Sequence, residues 1–301
     1  MARTAMRPRL IDGQYRPHPG IRALKGIVLT ITCALVIAPF VAIVATSLAD
    51  QQQIARAGGM VLWPETASLS AYTAILSGGV ITRAAVVSVG VTVVGTSLSL
   101  FVSTLLAYAL SRPYMAGRGV MLWLLLATLL FTPGMIPTYL TVKQLGLIDS
   151  WWALILPMAV SAFNVIVIRA FFQNVPGELI DSARIDGANE WMVFSRICIP
   201  LSKAVLAVVG LFYAVGYWNN FFNALLYLND SSMWPLQLVL RTYVINGSAL
   251  SSDELGSPTE MPPGDAIQMA ILVISIVPIL CVYPFLQKHF AKGVLTGAVK
   301  G

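Results

Sequence analysis

The residues richest in chemistry lie between positions 170 and 203 of this 301-residue chain. Glu178, Asp181, Arg184, Asp186, Glu190 and Arg196 alternate there with Leu179, Ile180, Ala183, Ile185, Ala188, Trp191, Met192 and Phe194. Such an amphipathic stretch offers an apolar face to a groove or to a membrane surface, while its charges fix register. Pro176 suits a helix start and Glu178 its first turn. Gly187 suits a bend between two short helices, and Pro200 marks entry into the next apolar run. From these features alone, a docking helix–turn–helix and an interfacial helix are equal alternatives.

A second set is polar but uncharged: Asn164, then Tyr213, Tyr217, Trp218, Asn219, Asn220 and Asn223. Amides suit sugar hydroxyls, and aromatic faces suit the apolar edges of sugar rings. Helical spacing puts Asn219 with Asn223 and Asn220 with Tyr217. The same residues also suit interhelical hydrogen bonding, worth ~0.6 kcal/mol on average in membranes. Nothing else suggests a reaction centre. Cys33, Cys198 and Cys281 are far apart, and His18 and His289 sit near opposite ends, so neither a disulfide framework nor a metal site is expected. No G-x-x-x-x-G-K-[ST] run occurs, so the chain is expected to be no enzyme, and any ATP hydrolysis belongs to another subunit.

The elements that must position these residues are set by composition. Hydrophobic residues make up 57% and charged residues 11%, against roughly 25% charged in a soluble domain. The chain reads as an all-α membrane protein. Charge-free gaps at 26–49, 84–111, 119–142, 150–168, 204–229 and 266–287 mark six transmembrane helices, read as about 26–48, 84–111, 119–142, 150–172, 201–228 and 266–287. Arg169 can snorkel from the fourth. A seventh gap, 66–82, is too polar to span and reads as a loop or surface helix. Pro39, Pro133, Pro137, Pro157 and Pro278 mark ends or kinks, and Gly90 and Gly95 permit close helix contacts. The charge-free stretches lack the ionisable groups that a proton-coupled carrier or an intramembrane hydrolase would need.

Basic residues set the orientation. With a cytoplasmic N-terminus, fifteen of the nineteen Lys and Arg fall inside, leaving Arg56, Arg83, Lys143 and Arg241 outside. Both termini are then cytoplasmic: a tail over 1–25 and another over 289–301, flanking a six-helix transmembrane domain over 26–288. The first apolar run is too long for a signal peptide and lacks a cleavage site, so it reads as a retained anchor. The net charge of +6 needs only anionic membrane lipid, with no nucleic acid. The long external loops 49–82 and 230–265 are either solvated connections or a docking surface.

Asp181-Ser182-Ala183, Asp186-Gly187 and, nine residues later, Ile197-Cys198-Ile199-Pro200 resemble the E-A-A…G…I-x-L-P loop of binding-protein-dependent ABC importers. Asp181 stands for Glu, and Ser182 and Ile199 depart conservatively. Leu110-Ser111-Arg112-Pro113, Trp218-Asn219-Asn220-Phe221 and the Gly297–Gly301 ending are similar to the same family. The chain resembles the smaller, MalG-like or LplC-like permease of carbohydrate uptake systems, near the branch for complex or uronate-containing, alginate-type oligosaccharides.

That resemblance implies a type I importer (MetI-like) fold in the bacterial cytoplasmic membrane, with a coupling helix in an EAA loop at 176–200. Asp181, Ser182, Ala183, Asp186, Gly187, Ile197 and Pro200 would then couple to ATPases. Asn164, Tyr217, Trp218, Asn219, Asn220 and Asn223 would be pathway-lining candidates. The implied partners are a homologous second permease, two ABC ATPase subunits holding ATP and Mg, and an extracytoplasmic solute-binding protein delivering a carbohydrate. The chain itself would bind no cofactor. A secondary carrier or channel without ATPases, and a non-transporting scaffold, are the alternatives.

Overall fold

The computed structural model describes residues 19–77, 79–245, 255 and 262–298, with side chains of 285–298 excepted. Most of the expected N-terminal tail, the Gly247–Ser252 run of the long second loop, and residues 299–301 lie outside the described residues. Every regular element among those described is helical.

Three helices are long and apolar enough to cross a bilayer unbroken: α1 (Pro19–Ser47), α4 (Val80–Ser111) and the Gly264–Pro284 part of α15 (Gly264–Ala298). Between α1 and α4 lie two short helices, α2 (Gln51–Ala57) and α3 (Ser70–Leu76); α3 sits in the polar 66–82 gap. The other apolar stretches fold as bent pairs. α5 (Arg118–Leu130) meets α6 (Met135–Gln144) at 120°. α7 (Trp152–Ile155), extended by a tight turn to Met158, meets α8 (Ala162–Gln173) at 51°. The bent segment Glu190–Leu201 meets α12 (Lys203–Trp218) at 82°. By length and composition there are six spans only if each bent pair is one crossing.

The breaks have local causes. Pro133 has no amide hydrogen and biases Thr132 away from helical backbone. Gly134 then takes φ +84°. A straight third helix over 119–142 is therefore replaced by α5, only about 20 Å long, and a folded-back α6. Similarly, the fifth apolar stretch pauses at Asn219–Asn220 before α13 (Phe221–Tyr227). Irregular backbone at membrane depth is tolerated where protein buries it, and Tyr217, Trp218, Ala224 and Tyr227 are all buried here.

α4 is the axis of the bundle, with α8 and α12 packed along it. Tyr213 and Tyr217, one turn apart on α12, meet Ser103 and Ser99, one turn apart on α4, at 2.6 and 2.7 Å. Gly95 makes the approach possible, since a Cβ there would lie 2.8 Å from the Tyr217 ring. Nothing lies within 4 Å of the same position on Gly90, so of the two glycines only Gly95 serves a close contact within this chain. At one end of the bundle, Ser88 Oγ accepts from the Leu236 amide at 2.7 Å, at the start of α14 (Leu236–Leu240). At the same end Asp149 accepts from the backbone and side-chain nitrogens of Asn229. The opposite end carries α9 (Gly177–Ile185), α10 (Glu190–Val193) and α11 (Ile199–Leu201).

Candidate coupling site

The segment expected to couple folds as a helical hairpin. Glu178 lies in the first turn of α9, where an acid complements the helix dipole. Ile180 points inward and is buried. α9 ends in a paired closure: the Gly187 amide donates to the Arg184 carbonyl at 3.0 Å and the Ala188 amide to the Ala183 carbonyl at 2.9 Å. This closure needs a left-handed residue, and Gly187 supplies φ +84°. The Asn189 side chain then caps α10 by accepting from the Met192 amide at 2.9 Å. A π-helical turn over Phe194–Cys198 links α10 to α11.

Glu190 is the hub that fixes this hairpin to the bundle. One carboxylate oxygen accepts from the Tyr108 hydroxyl at 2.7 Å and the other from Arg184 Nη2 at 2.7 Å. The same Arg184 nitrogen donates to the Tyr114 hydroxyl, and its guanidinium lies 5.0 Å over the Tyr114 ring. Arg184 also pairs with Asp181 at 3.9 Å. Three separate chain segments thus converge on one carboxylate: the end of α4, the loop after it, and α9. Burial raises the Glu190 carboxyl, but hydrogen bonds from Tyr108, Arg184 and Tyr114 outweigh it and hold the group below its ordinary value. The Glu190 hydrogen bond in turn raises Arg184.

Behind the hub, the Tyr108 ring is held by Phe194 at 4.9 Å and Phe172 at 6.0 Å between centroids. Arg112, one turn after Tyr108, is 8% exposed, lies 4.4 Å over that ring and donates to Cys198 Sγ at 3.0 Å. A basic residue closing an apolar run reads as a snorkelling anchor; here it is a buried pin into the hairpin. Tyr108, Tyr114 and the role of Glu190 were not singled out from sequence, and Arg112 stood there only within the Leu110–Pro113 motif. A tyrosine four residues before the basic residue that closes the apolar run was the available signal, although Arg112 itself is the C-cap of α4 in extended backbone.

The seven coupling candidates fall into two groups. Asp181, Ser182, Asp186, Gly187 and Pro200 are exposed, while Ala183 and Ile197 are half-buried. Around them Leu179, Ile185, Trp191 and Met192 are exposed, Ile185 at 87%. The outer side of the hairpin is therefore an apolar face with charges at its margins.

The pathway candidates do not gather in one place. The Tyr217 hydroxyl donates to the Ile155 carbonyl at 3.0 Å as well as meeting Ser99, and Trp218 Nε1 donates to the Ser275 carbonyl at 3.0 Å. Both side chains are buried and occupied within the bundle. Asn164 is buried on α8. The break after Trp218 removes the continuous helical face expected for Asn219 with Asn223. Asn219 is exposed and donates to the Val215 carbonyl at 3.0 Å. Asn220 instead caps α13, accepting from the Asn223 amide at 3.3 Å, and its amide nitrogen meets Met158 Sδ at 3.0 Å. Among the described residues no group of three His, Cys, Asp or Glu gathers as a metal site.

A profile of the family described as "Binding-protein-dependent transport system inner membrane component" matches residues 22–296. The chain is 49% identical over 265 residues to the polygalacturonan/rhamnogalacturonan transport system permease protein YtcP of Bacillus subtilis (strain 168), covering 87% of this chain and 92% of that protein. It is also 49% identical over 268 residues to Protein LplC of the same organism, covering 89% of this chain and 90% of that one. Among solved structures, a chain from a bacterial ABC transporter involved in the import of the acidic polysaccharide alginate superposes with a TM-score of 0.84. It is 29% identical and covers 92% of this chain and 99% of its own length.

Proposed function

The chain belongs to the binding-protein-dependent transport system inner membrane component family, and from that premise we propose that it is a permease subunit importing an acidic oligosaccharide. It is a non-catalytic, multi-pass inner membrane protein. The similarity to a polygalacturonan/rhamnogalacturonan permease and to an alginate transporter supports uronate-containing carbohydrate as the cargo class. A second, homologous permease completes the pathway, and an extracytoplasmic binding protein delivers the cargo. Two ATPase subunits, holding ATP and Mg, dock inside against the 176–200 hairpin. Both termini then lie in the cytoplasm.

The observation that carries this reading is the hairpin itself. Its apolar outer face has no partner among the described residues, and its inner face is tied through Glu190 to the end of α4. A push on the outer face is therefore transmitted to the axial helix of the bundle, which is what alternating access by rigid-body movement requires. Asn164, Asn219, Asn220 and Asn223 stay as pathway candidates; Tyr217 and Trp218 serve the packing around it.

Copurification and uptake test the proposal. The tagged chain should bring down a P-loop ATPase, and cells should take up labelled oligogalacturonate in preference to a neutral oligosaccharide of equal length. Absence of ATPase would sink the importer reading. Preference for the neutral sugar would sink the cargo class alone. Single cysteines at Ser182 and Glu65, in a cysteine-free background, test orientation: an impermeant reagent should label only position 65 in intact cells.

A further inference from the structure

Arg118 opens α5, and Arg169 lies on α8 one turn before its last residue, Gln173. In the amide orientation that its neighbours dictate, Gln173 Oε1 accepts from Arg118 Nη2 at 3.3 Å and from Arg169 Nη2 at 3.1 Å. Two guanidinium groups thus converge on one neutral oxygen. Arg169 Nε donates to the Leu110 carbonyl at 3.0 Å, but Arg118 Nε is buried and has no partner. The ion pairs among the described residues are those of Arg184 with Asp181 and Glu190; neither Arg118 nor Arg169 has a carboxylate.

The start of α5 adds to the same deficit of negative charge. Gly117 has no side chain to cap it, and its first turn holds no acid. The Arg118 amide is taken by the Met115 carbonyl at 3.4 Å and the first helical bond closes at the Met121 amide, so the Gly119 and Val120 amides and the dipole face outward. The space is open: a Cβ on Gly117 or Gly119 would meet nothing within 4 Å. An uncapped helix N-terminus beside two uncompensated arginines fits a phosphate.

Continuity with an apolar stripe selects the kind of phosphate. Val120, Trp123 and Leu124, at helical spacing directly beyond the site, are 67%, 72% and 59% exposed. A soluble phosphate gains nothing from that stripe, whereas an acyl chain lies along it. We infer that Arg118, Arg169 and the N-terminus of α5 hold the phosphate of an anionic phospholipid, with its acyl chains along α5. Assigning that lipid to the inner leaflet rests on the orientation proposed above; the site does not depend on the cargo.

The test uses the full transporter purified from membranes and exchanged into nanodiscs of phosphatidylcholine alone or with phosphatidylglycerol. Native mass spectrometry reads retained lipid. The wild type should retain phosphatidylglycerol over phosphatidylcholine. The Arg118→Gln and Arg169→Gln variants should each lose about fivefold of that preference. Gly119→Glu, which places a carboxylate in the open space without removing a cation, should also displace the lipid. Arg118→Lys should keep most of it, which separates site loss from misfolding. Equal retention by wild type and Arg118→Gln/Arg169→Gln would overturn the proposal. So would displacement by millimolar inorganic phosphate at unchanged lipid composition, which would mark a small-anion site. A cross-link from a cysteine at 119 to the partner permease, with no lipid retained, would give the face to that subunit instead.

Discussion

The Tyr108 hydroxyl and the Glu190 carboxylate meet at 2.7 Å across 82 positions of sequence. Tyr108 also reaches the Glu190 carbonyl at 3.2 Å, so the end of α4 holds both the side chain and the backbone of the first residue of α10. In the proposed coupling, movement of the hairpin would pass into the bundle here. Tyr108→Phe removes both bonds and keeps the ring contacts with Phe172, Phe194 and Arg112. The expected result is normal insertion, destabilisation of about 1 kcal/mol, and ATP hydrolysis that proceeds with reduced uptake. Wild-type coupling of uptake to hydrolysis in reconstituted vesicles would refute the role.

The same carboxylate gives a pH dependence with a defined sign. The folded-state value of Glu190 lies below its ordinary 4.5, so the folded form binds the proton less readily than the unfolded one. The stabilisation is fully present above the ordinary value and disappears as pH falls through the lowered one. Protease sensitivity of the hairpin should therefore be flat around neutrality and rise only in acid below the ordinary glutamate range. Glu190→Gln should show the raised sensitivity at every pH. A transition near neutrality in the wild type would mean that another group controls the hairpin.

Gly95 and Gly90 provide an internally controlled pair. A methyl group at 95 meets the Tyr217 ring at 2.8 Å, and Tyr217 is fixed by Ser99 and Ile155. Gly95→Ala should cost about 1–3 kcal/mol from overpacking, measured as a lower thermal midpoint in detergent. Gly90→Ala lines a region open in this chain, so it should be neutral within this subunit. If Gly90→Ala instead disrupts copurification of the second permease, that face of α4 belongs to the interface between them.

How much of this was readable beforehand follows from what each feature rests on. The apolar stretches were legible because charge is costly in hydrocarbon, and the gaps between charges report it directly, but only α1, α4 and the Gly264–Pro284 part of α15 follow such a stretch unbroken. The break in the third span was half-legible, since Pro133-Gly134 announces a turn but not its 120° angle. The break at Asn219–Asn220 was not, because no proline or glycine marks it and its cause is capping of α13 by Asn220. Tyr213 and Tyr217 stood among the polar residues of the fifth stretch, whereas Ser99 and Ser103 were not singled out. That the two pairs meet each other is a tertiary fact that neither spacing contains. Glu190 looked like one of several hairpin charges, and only the fold brings Tyr108, Tyr114 and Arg184 to it.

At Gly187 conformation and space make different demands. A Cβ there would meet nothing within 4 Å, yet φ is +84°. The penalty for substitution is therefore backbone strain, with no clash inside this chain. Asn visits left-handed backbone readily, whereas a β-branched residue does not. Gly187→Asn should keep the hairpin closed and retain the ATPase close to wild-type levels. Gly187→Val should open the paired closure at Ala183 and Arg184, cost on the order of 1–2 kcal/mol or more, and shed ATPase while the permease stays in the membrane. Equal retention by both variants would show that the left-handed turn is not what the ATPase recognises. Equal loss by both would show that the space above Gly187, open in this chain, is filled by the ATPase itself, and that position 187 is a contact rather than a hinge.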